Sequence, residues 1–168
     1  MIKNKGCDCK KCKSCCWRSP GWFGSMKEVK GSAKIVGMSV KDFAKEFLIR
    51  EWWAGKGEDV FVPAPRRNFG RLSKEKKKLE KEMRFIGLWK DEELKNCKGF
   101  VRASWGHNLM SGYACIFLTK DERCIVHESK PTECRETFGC KKSTNRKIRE
   151  QMSKYWKKHQ DFISYLME

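Results

Sequence analysis

Five of the ten cysteines stand within the first sixteen residues of the chain. The run from Cys7 to Cys16 reads CDCKKCKSCC and contains the spacing C-x-x-C-x-x-C-C. Two thiolates in one C-x-x-C turn can face the same metal ion. Adjacent cysteines rarely form a disulfide with each other, because closing that small ring strains the peptide. This density of thiols therefore indicates a metal site.

A second group of cysteines lies near the other end of the sequence and can supply remote ligands. The predicted ligands are Cys9, Cys12, Cys15, Cys16, Cys115, Cys124, Cys134 and Cys140. Structural zinc takes four sulfur or imidazole ligands. A [4Fe–4S] cluster takes four thiolates, often three from a tight run and one from a distant cysteine near proline. Eight thiols allow one site or two, and spacing alone does not separate zinc or iron ions from an iron–sulfur cluster, although the Cys-Cys pair favours [4Fe–4S].

Other residues near the two groups have less specific signals. Cys7 is interpreted as a spare thiol, and Cys97 as a small, partly buried apolar residue. His127 could complete a metal site, or it is an ordinary polar residue at that position. His107 is a loop histidine that an enzyme could use beside an open metal position. Arg135, next to a predicted ligand, is a candidate hydrogen-bond donor to sulfur or to neighbouring carbonyl groups.

Composition limits the class of protein. A length of 168 residues with 39% hydrophobic residues predicts a single domain, 1–168, with a modest core that a metal would stabilise. No apolar stretch follows the basic N-terminus or approaches the length of a membrane span, so we predict a cytoplasmic protein whose thiols stay reduced, with no membrane partner. The net charge of +17 suits a nucleic acid or an acidic protein partner, or simply a solvated lysine surface.

Two helices are predicted after the first cysteine run. Ser25 and Glu28 have the spacing of a capping box and open a helix that Gly37 caps. Ser39 opens a second helix, whose apolar positions recur at helical spacing as far as Trp52.

The remainder of the chain gives a mainly helical pattern. Residues 58–72 are predicted as a loop or extended segment, 74–85 as a helix, 100–105 as a short strand and 145–166 as one long helix. The sequence therefore predicts a mainly α, small helical domain, in which irregular cysteine-rich loops from both ends form the metal site.

The downstream cysteines belong to a longer motif. The stretch CIFLTKDERCIVHESKPTECR from Cys115 to Arg135 resembles the signature C-x-F-L-x(n)-C-x-I-Y-x-x-R-P-x-x-C-R. With the C-x-x-C-x-x-C-C run and the segment GMSVKDF, it resembles the CxxCxxCC cysteine-cluster family, a YkgJ-like zinc- or iron-chelating domain. Residues at about 58–110 fall outside this resemblance and are interpreted as a family-variable insertion. Lys130 replaces the family arginine before Pro131, and His127 lies near the family tyrosine.

The resemblance implies a metal-binding protein with a redox or structural role. Flagellin lysine N-methylases carry the same cysteine cluster, so a metal-dependent modifying enzyme is an alternative. The basic charge leaves another alternative, a nucleic-acid-binding module whose metal serves only folding. Whether the chain is an enzyme stays open at this point.

Overall fold

In the described part of the chain, two helices come first, five short strands follow and three helices come last. The computed structural model describes residues 21–55, 58–72, 100–102, 113–136 and 145–167. The helices are α1 (Met26–Val36), α2 (Val40–Phe47), α3 (Thr132–Glu136), α4 (Asn145–Lys157) and α5 (Gln160–Met167). The strands are β1 (Leu48–Gly55), β2 (Glu58–Pro65), β3 (Arg67–Leu72), β4 (Phe100–Arg102) and β5 (Tyr113–Cys115), and His127–Ser129 forms a 3₁₀ turn. The described residues thus form a small domain that is mixed or mainly helical, with strands that the sequence pattern largely left out.

The first two helices begin where their capping residues predict. The Ser25 hydroxyl accepts a hydrogen bond from the Glu28 backbone N–H, and the Ser39 hydroxyl accepts one from the N–H of Asp42. Gly37 has φ 77° and donates its N–H to carbonyl groups of the last turn of α1. Glycine adopts this left-handed conformation without a steric penalty.

The predicted extension of the second helix to Trp52 is wrong. α2 ends at Phe47 and the chain continues at once as strand β1. β1 pairs with β2 in antiparallel register along its whole length, from Leu48↔Pro65 to Gly55↔Glu58. Isoleucine and tryptophan suit a strand as well as a helix, so the available partner strand overrides the helical periodicity.

The strands form two small sheets. In one, the order is β2-β1-β4, with β1 and β4 parallel; in the other, β3 pairs with β5 in antiparallel register. Residues 58–72 are therefore extended, which was one of the two predicted options, and the short strand near residue 100 is confirmed for its first three residues. β2 is an edge strand, and this position tolerates Pro63 and Pro65 because neither can donate to a ladder.

The prediction of a single long C-terminal helix is also wrong, because the chain turns at Lys158 and His159 between α4 and α5. Gln160 explains the break. Its side-chain amide donates to the Trp156 carbonyl at 2.7 Å, and it also donates to the Phe61 carbonyl and accepts the Phe61 N–H. The amide group therefore covers part of the free edge of β2 while ending the α4 ladder.

The core lies between α1, α2, the β1–β2 hairpin and the two C-terminal helices. Fully buried side chains include Trp22, Phe23, Val29, Phe43, Leu48, Val62, Phe117, Trp156, Ile163 and Leu166. Phe117 belongs to the C-x-F-L part of the downstream motif and stacks on Phe43 of α2, with ring centroids 5.7 Å apart. The motif therefore contributes to the core as well as carrying cysteines.

Candidate metal centre

The three downstream cysteines that the structure describes sit on ordered elements rather than on the irregular loop that the sequence predicted. Cys115 ends strand β5 and pairs with Arg67 of β3. Cys124 forms a β-bridge with Leu118, and Cys134 lies within helix α3. Cys134 lies within a helix, Cys115 at the end of a strand and Cys124 in an isolated bridge, so backbone hydrogen bonds restrain all three positions.

A tight turn connects the first two of these cysteines. The backbone N–H of Thr119 donates to the Arg123 carbonyl at 2.8 Å, and the Arg123 N–H donates to the Thr119 hydroxyl at 3.0 Å. Glu122 adopts φ 60° within the turn, a conformation that is uncommon for a residue with a side chain. The turn brings Leu118 and Cys124 opposite each other.

Cys134 is buried and packs in a small apolar cluster. It is 6% exposed and contacts Ala114 and Leu118, and Cys115 packs against the same cluster. Cys124 is half-buried and packs against the main core. Two of the predicted ligands thus share one small cluster, and the third stands on the bridge that ends at Leu118.

The segment that follows the N-terminal cysteine run lies against Cys134. A Cβ atom on Gly21 would overlap the Cys134 Sγ atom and would lie 3.3 Å from the Cys134 backbone nitrogen. The Trp22 carbonyl accepts the Glu133 N–H, and the Trp22 N–H donates to the Glu133 carboxylate, both at 3.3 Å. A side chain at position 21 would therefore displace the Cys134 thiol and crowd the Cys134 backbone.

A second close approach joins helix α1 to the loop that precedes Cys134. The Ser129 hydroxyl donates to the Glu28 carbonyl at 3.2 Å, and the Ser32 hydroxyl donates to the Ser129 carbonyl at 3.0 Å. A Cβ atom on Gly31 would overlap the Ser129 hydroxyl. α1 therefore packs directly on the loop that precedes Cys134.

Glu28 links α1 to the same loop through its carboxylate. It accepts hydrogen bonds from the Thr132 hydroxyl and from the Arg135 guanidinium, each at 2.5 Å. Arg135 also donates to the Lys130 carbonyl at 2.8 Å. The predicted role of Arg135 as a donor to neighbouring carbonyl groups is confirmed in this contact, whereas donation to sulfur stays a prediction.

A buried charged cluster lies on the other side of Cys134. Arg149 of α4 donates twice to the Glu133 carboxylate, at 2.7 and 3.1 Å, and both side chains are almost fully buried. The Arg149 guanidinium also stacks over the Trp22 ring, 4.3 Å from its centroid. The Trp22 indole N–H donates to the carboxylate of Glu51, which is 1% exposed on β1.

Burial dominates the electrostatics of both carboxyl groups. Loss of solvent raises the pKa of Glu51 from 4.5 to about 7, opposed by the Trp22 hydrogen bond and by the positive charge of Arg149. Burial also raises the pKa of Glu133, against the attraction and hydrogen bonds of Arg149. Neither glutamate was predicted as a site residue. The available signals were a charge directly before the Trp52-Trp53 pair, for Glu51, and a charge directly before a predicted ligand, for Glu133.

Lys130, noted in the sequence only as the replacement for the family arginine, is another buried charged residue. It is 3% exposed, and its ammonium nitrogen has no hydrogen-bond partner in the described part of the chain. An ammonium group out of water is costly unless an anion lies nearby. This lysine stands four residues before Cys134 in the sequence.

Most of the other predicted site residues lie outside the described residues. These are Cys7, Cys9, Cys12, Cys15, Cys16, Cys97, His107 and Cys140. His127 is described and its side chain is exposed at the start of the 3₁₀ turn. Within the described ranges, no three histidine, cysteine or acidic side chains form a group that could hold a metal ion.

No family model, curated protein or solved structure matches the chain. The resemblance to the CxxCxxCC cysteine-cluster family therefore stays a prediction that rests on the two motifs. Among the described residues, no helix is long and apolar enough to cross a membrane.

Proposed function

We propose that this chain is a metal-binding protein that holds zinc, iron or a [4Fe–4S] cluster between its two cysteine groups. In this proposal Cys9, Cys12, Cys15 and Cys16 supply a tight set of thiolates. Cys115, Cys124, Cys134 and Cys140 supply the remote ones. The metal joins the two ends of the chain in a structural or redox role.

The contact between Gly21 and Cys134 carries this proposal. Cys16 stands five residues before Gly21 in the sequence. An extended chain spans at most about 3.6 Å per residue, so any conformation of that short connection keeps Cys16 within roughly 18 Å of Gly21. Because Gly21 touches Cys134, the two cysteine groups are tethered to the same region of the molecule.

The donor set fits the proposed metals. Cys115 and Cys134 share one apolar cluster, and Cys124 lies on the adjoining bridge. Three thiols do not complete the four ligands that zinc or a [4Fe–4S] cluster requires. The remaining ligands would come from the N-terminal run, which has the tight spacing that both kinds of centre use.

The buried ammonium of Lys130 is a second support. Four thiolates around zinc, or around a [4Fe–4S] cluster, leave the centre with a net negative charge. A lysine buried without a described partner, in the loop that leads to Cys134, suits such a charge. Replacing Lys130 by methionine should then weaken metal retention while leaving the metal-free protein at least as stable.

Metal and acid-labile sulfide analysis on protein purified without oxygen tests the proposal. Equal iron and sulfide with a broad visible absorption band would identify an iron–sulfur cluster, and colourless protein with one or two zinc ions would identify a zinc site. Folded protein with no metal and with its cysteines paired as disulfides would overturn the proposal.

Single Cys→Ser variants locate the ligands. We expect Cys124→Ser and Cys134→Ser to lose metal during dialysis, and Cys97→Ser, the matched control, to retain it. Cys134 is buried, so Cys134→Ser can also disturb the fold, whereas Cys124 is only half-buried. X-ray absorption on Cys124→Ser, measured while metal is still bound, gives the number of sulfur ligands directly. An unchanged sulfur count in that variant would remove Cys124 from the ligand set.

A further inference from the structure

Six exposed lysines lie on helix α1, on helix α4 and in the turn that directly follows α4. They are Lys27, Lys30, Lys34, Lys147, Lys154 and Lys158. We propose that these lysines, here called the basic face, bind the phosphate backbone of a nucleic acid. The inference does not depend on the proposed metal, because every lysine in it belongs to described elements outside the cysteine groups.

The lysines of α4 form a stripe along the helix. Lys147 and Lys154 are seven residues apart, a spacing that returns to the same side of a helix, and Lys158 lies in the turn directly after the helix ends. The stripe runs along one flank of Tyr155, on the side away from the buried residues Met152 and Trp156. Tyr155 therefore marks the border between the packed face of α4 and its lysine stripe.

Tyr155 also joins this stripe to α1. Its hydroxyl accepts a hydrogen bond from the Met26 backbone N–H at 3.1 Å. The Lys30 ammonium of α1 lies 6.0 Å from the ring centroid of Phe162, which belongs to α5. The lysines of α1 are spaced by three and four residues, so they share one side of that helix. These contacts therefore connect α1 to the C-terminal helix pair that carries the α4 lysines.

The acidic residues of these two helices do not neutralise the stripes. Glu28 faces inward and binds Arg135 and Thr132. Glu150 pairs with Arg146 at 3.3 Å, one turn along α4. The two helices therefore carry more exposed lysines than acidic side chains, in keeping with the net charge of +17 for the chain.

The dimensions favour a phosphate backbone over a compact anion. From Lys147 to its last residue, Lys157, α4 rises about 15 Å at 1.5 Å per residue, and Lys158 follows directly. Phosphates of one strand recur every 3.4 Å or so along a duplex, so the stripe matches a track of about five phosphates. Tyr155 and His159 form a half-buried pair of rings beside the stripe, with centroids 4.5 Å apart.

Fluorescence anisotropy with a labelled 20-nucleotide RNA and a duplex DNA of the same length tests the inference, on the full-length protein as purified. Six phosphate contacts predict that log K falls with log salt with a slope of roughly −4 for the single strand. The variant K147Q/K154Q/K158Q should halve that slope to about −2 and weaken binding about tenfold or more at low salt.

The matched control removes three cations that lie on other elements. Lys45, Lys120 and Arg123 are exposed, and K45Q/K120Q/R123Q lowers the net charge from +17 to +14, as the basic-face variant does. Equal loss of affinity in both variants would overturn the proposal, since it would mean attraction to the total charge. Binding that ignores salt, or equal affinity for poly-glutamate, would also overturn it in favour of a protein partner. Circular dichroism of both variants verifies that they fold.

Discussion

Glutamine at position 51 should make the protein more stable at pH 8 and leave it nearly unchanged at pH 4. Glu51 is buried on β1, and burial raises the pKa of its carboxyl group to about 7. In the unfolded chain the group returns to its ordinary pKa near 4.5. The folded protein therefore binds this proton more tightly than the unfolded chain does.

The sign and size of the pH effect on the unfolding free energy follow from the linkage between proton binding and folding. Stability from a raised carboxyl pKa is fully present below pH 4.5 and is lost as the pH rises to about 7. At about 1.4 kcal/mol per pH unit, this interval corresponds to about 3 kcal/mol. Glutamine does not titrate, and its amide oxygen can still accept the Trp22 indole N–H. Glu51→Gln should thus gain about 3 kcal/mol over the wild type between pH 4 and pH 8.

Urea unfolding followed by tryptophan fluorescence measures this difference, because Trp22 and Trp156 are fully buried. The two proteins are compared at half-unit steps from pH 4 to pH 8, with Glu128→Gln, an exposed residue, as the matched control. A constant difference between wild type and Glu51→Gln across this range would refute the reasoning. So would a difference that grows toward low pH, which would mean that Arg149 and Arg67 hold the carboxylate ionised.

Three further substitutions test separate contacts. Gly21→Ala forces a methyl group onto Cys134 and should cost about 1–3 kcal/mol of unfolding free energy by overpacking; a neutral effect in urea unfolding would mean that the two backbones separate easily. Arg149→Met leaves the buried Glu133 carboxylate without its ion pair and should cost about 3–5 kcal/mol, partly recovered by adding Glu133→Gln; no recovery in the double variant would show that packing on Trp22 matters more than charge. Gly37→Ala introduces no clash but strains a left-handed φ, so a loss of about 1 kcal/mol in thermal unfolding is expected, and no loss would contradict that origin.

Local signals in the sequence predicted the helix ends well. Ser25, Ser39 and Gly37 act within one turn of the chain, and the structure has each in the predicted cap. The apolar face of the C-terminal segment is confirmed in the same way, with Met152, Trp156, Ile163 and Leu166 all buried. The caps depend on neighbouring residues alone, and the apolar spacing indicates which side of a helix is buried without identifying its partner.

The errors arose where a distant partner decides the conformation. Residues 48–52 continue a helical apolar pattern, yet β2 provides eight backbone partners and draws them into a strand. The predicted long C-terminal helix breaks because Gln160 binds Phe61, ninety-nine residues earlier in the chain. Neither interaction can be recognised from the residues that surround these positions in the sequence.

The candidate site also has residues that the sequence indicates and residues that it does not. The cysteines are visible in the sequence because their type and spacing are unusual, and their place in a common metal centre stays a prediction. The groups that position Cys134 were not visible. Gly21, Glu133 and Glu28 are ordinary residue types, and their importance comes from contacts across more than a hundred residues.

The contacts on either side of Cys134 bear on how its thiol is held. Glu133, directly before it, binds Arg149 of α4 and the backbone of Trp22, while Arg135, directly after it, binds Glu28 of α1. Successive residues of a helix project about 100° apart, so these ion pairs restrain α3 from two different directions. The short helix has only five residues and little stability of its own. These side-chain contacts therefore restrain the orientation of α3, and with it the direction of the Cys134 thiol.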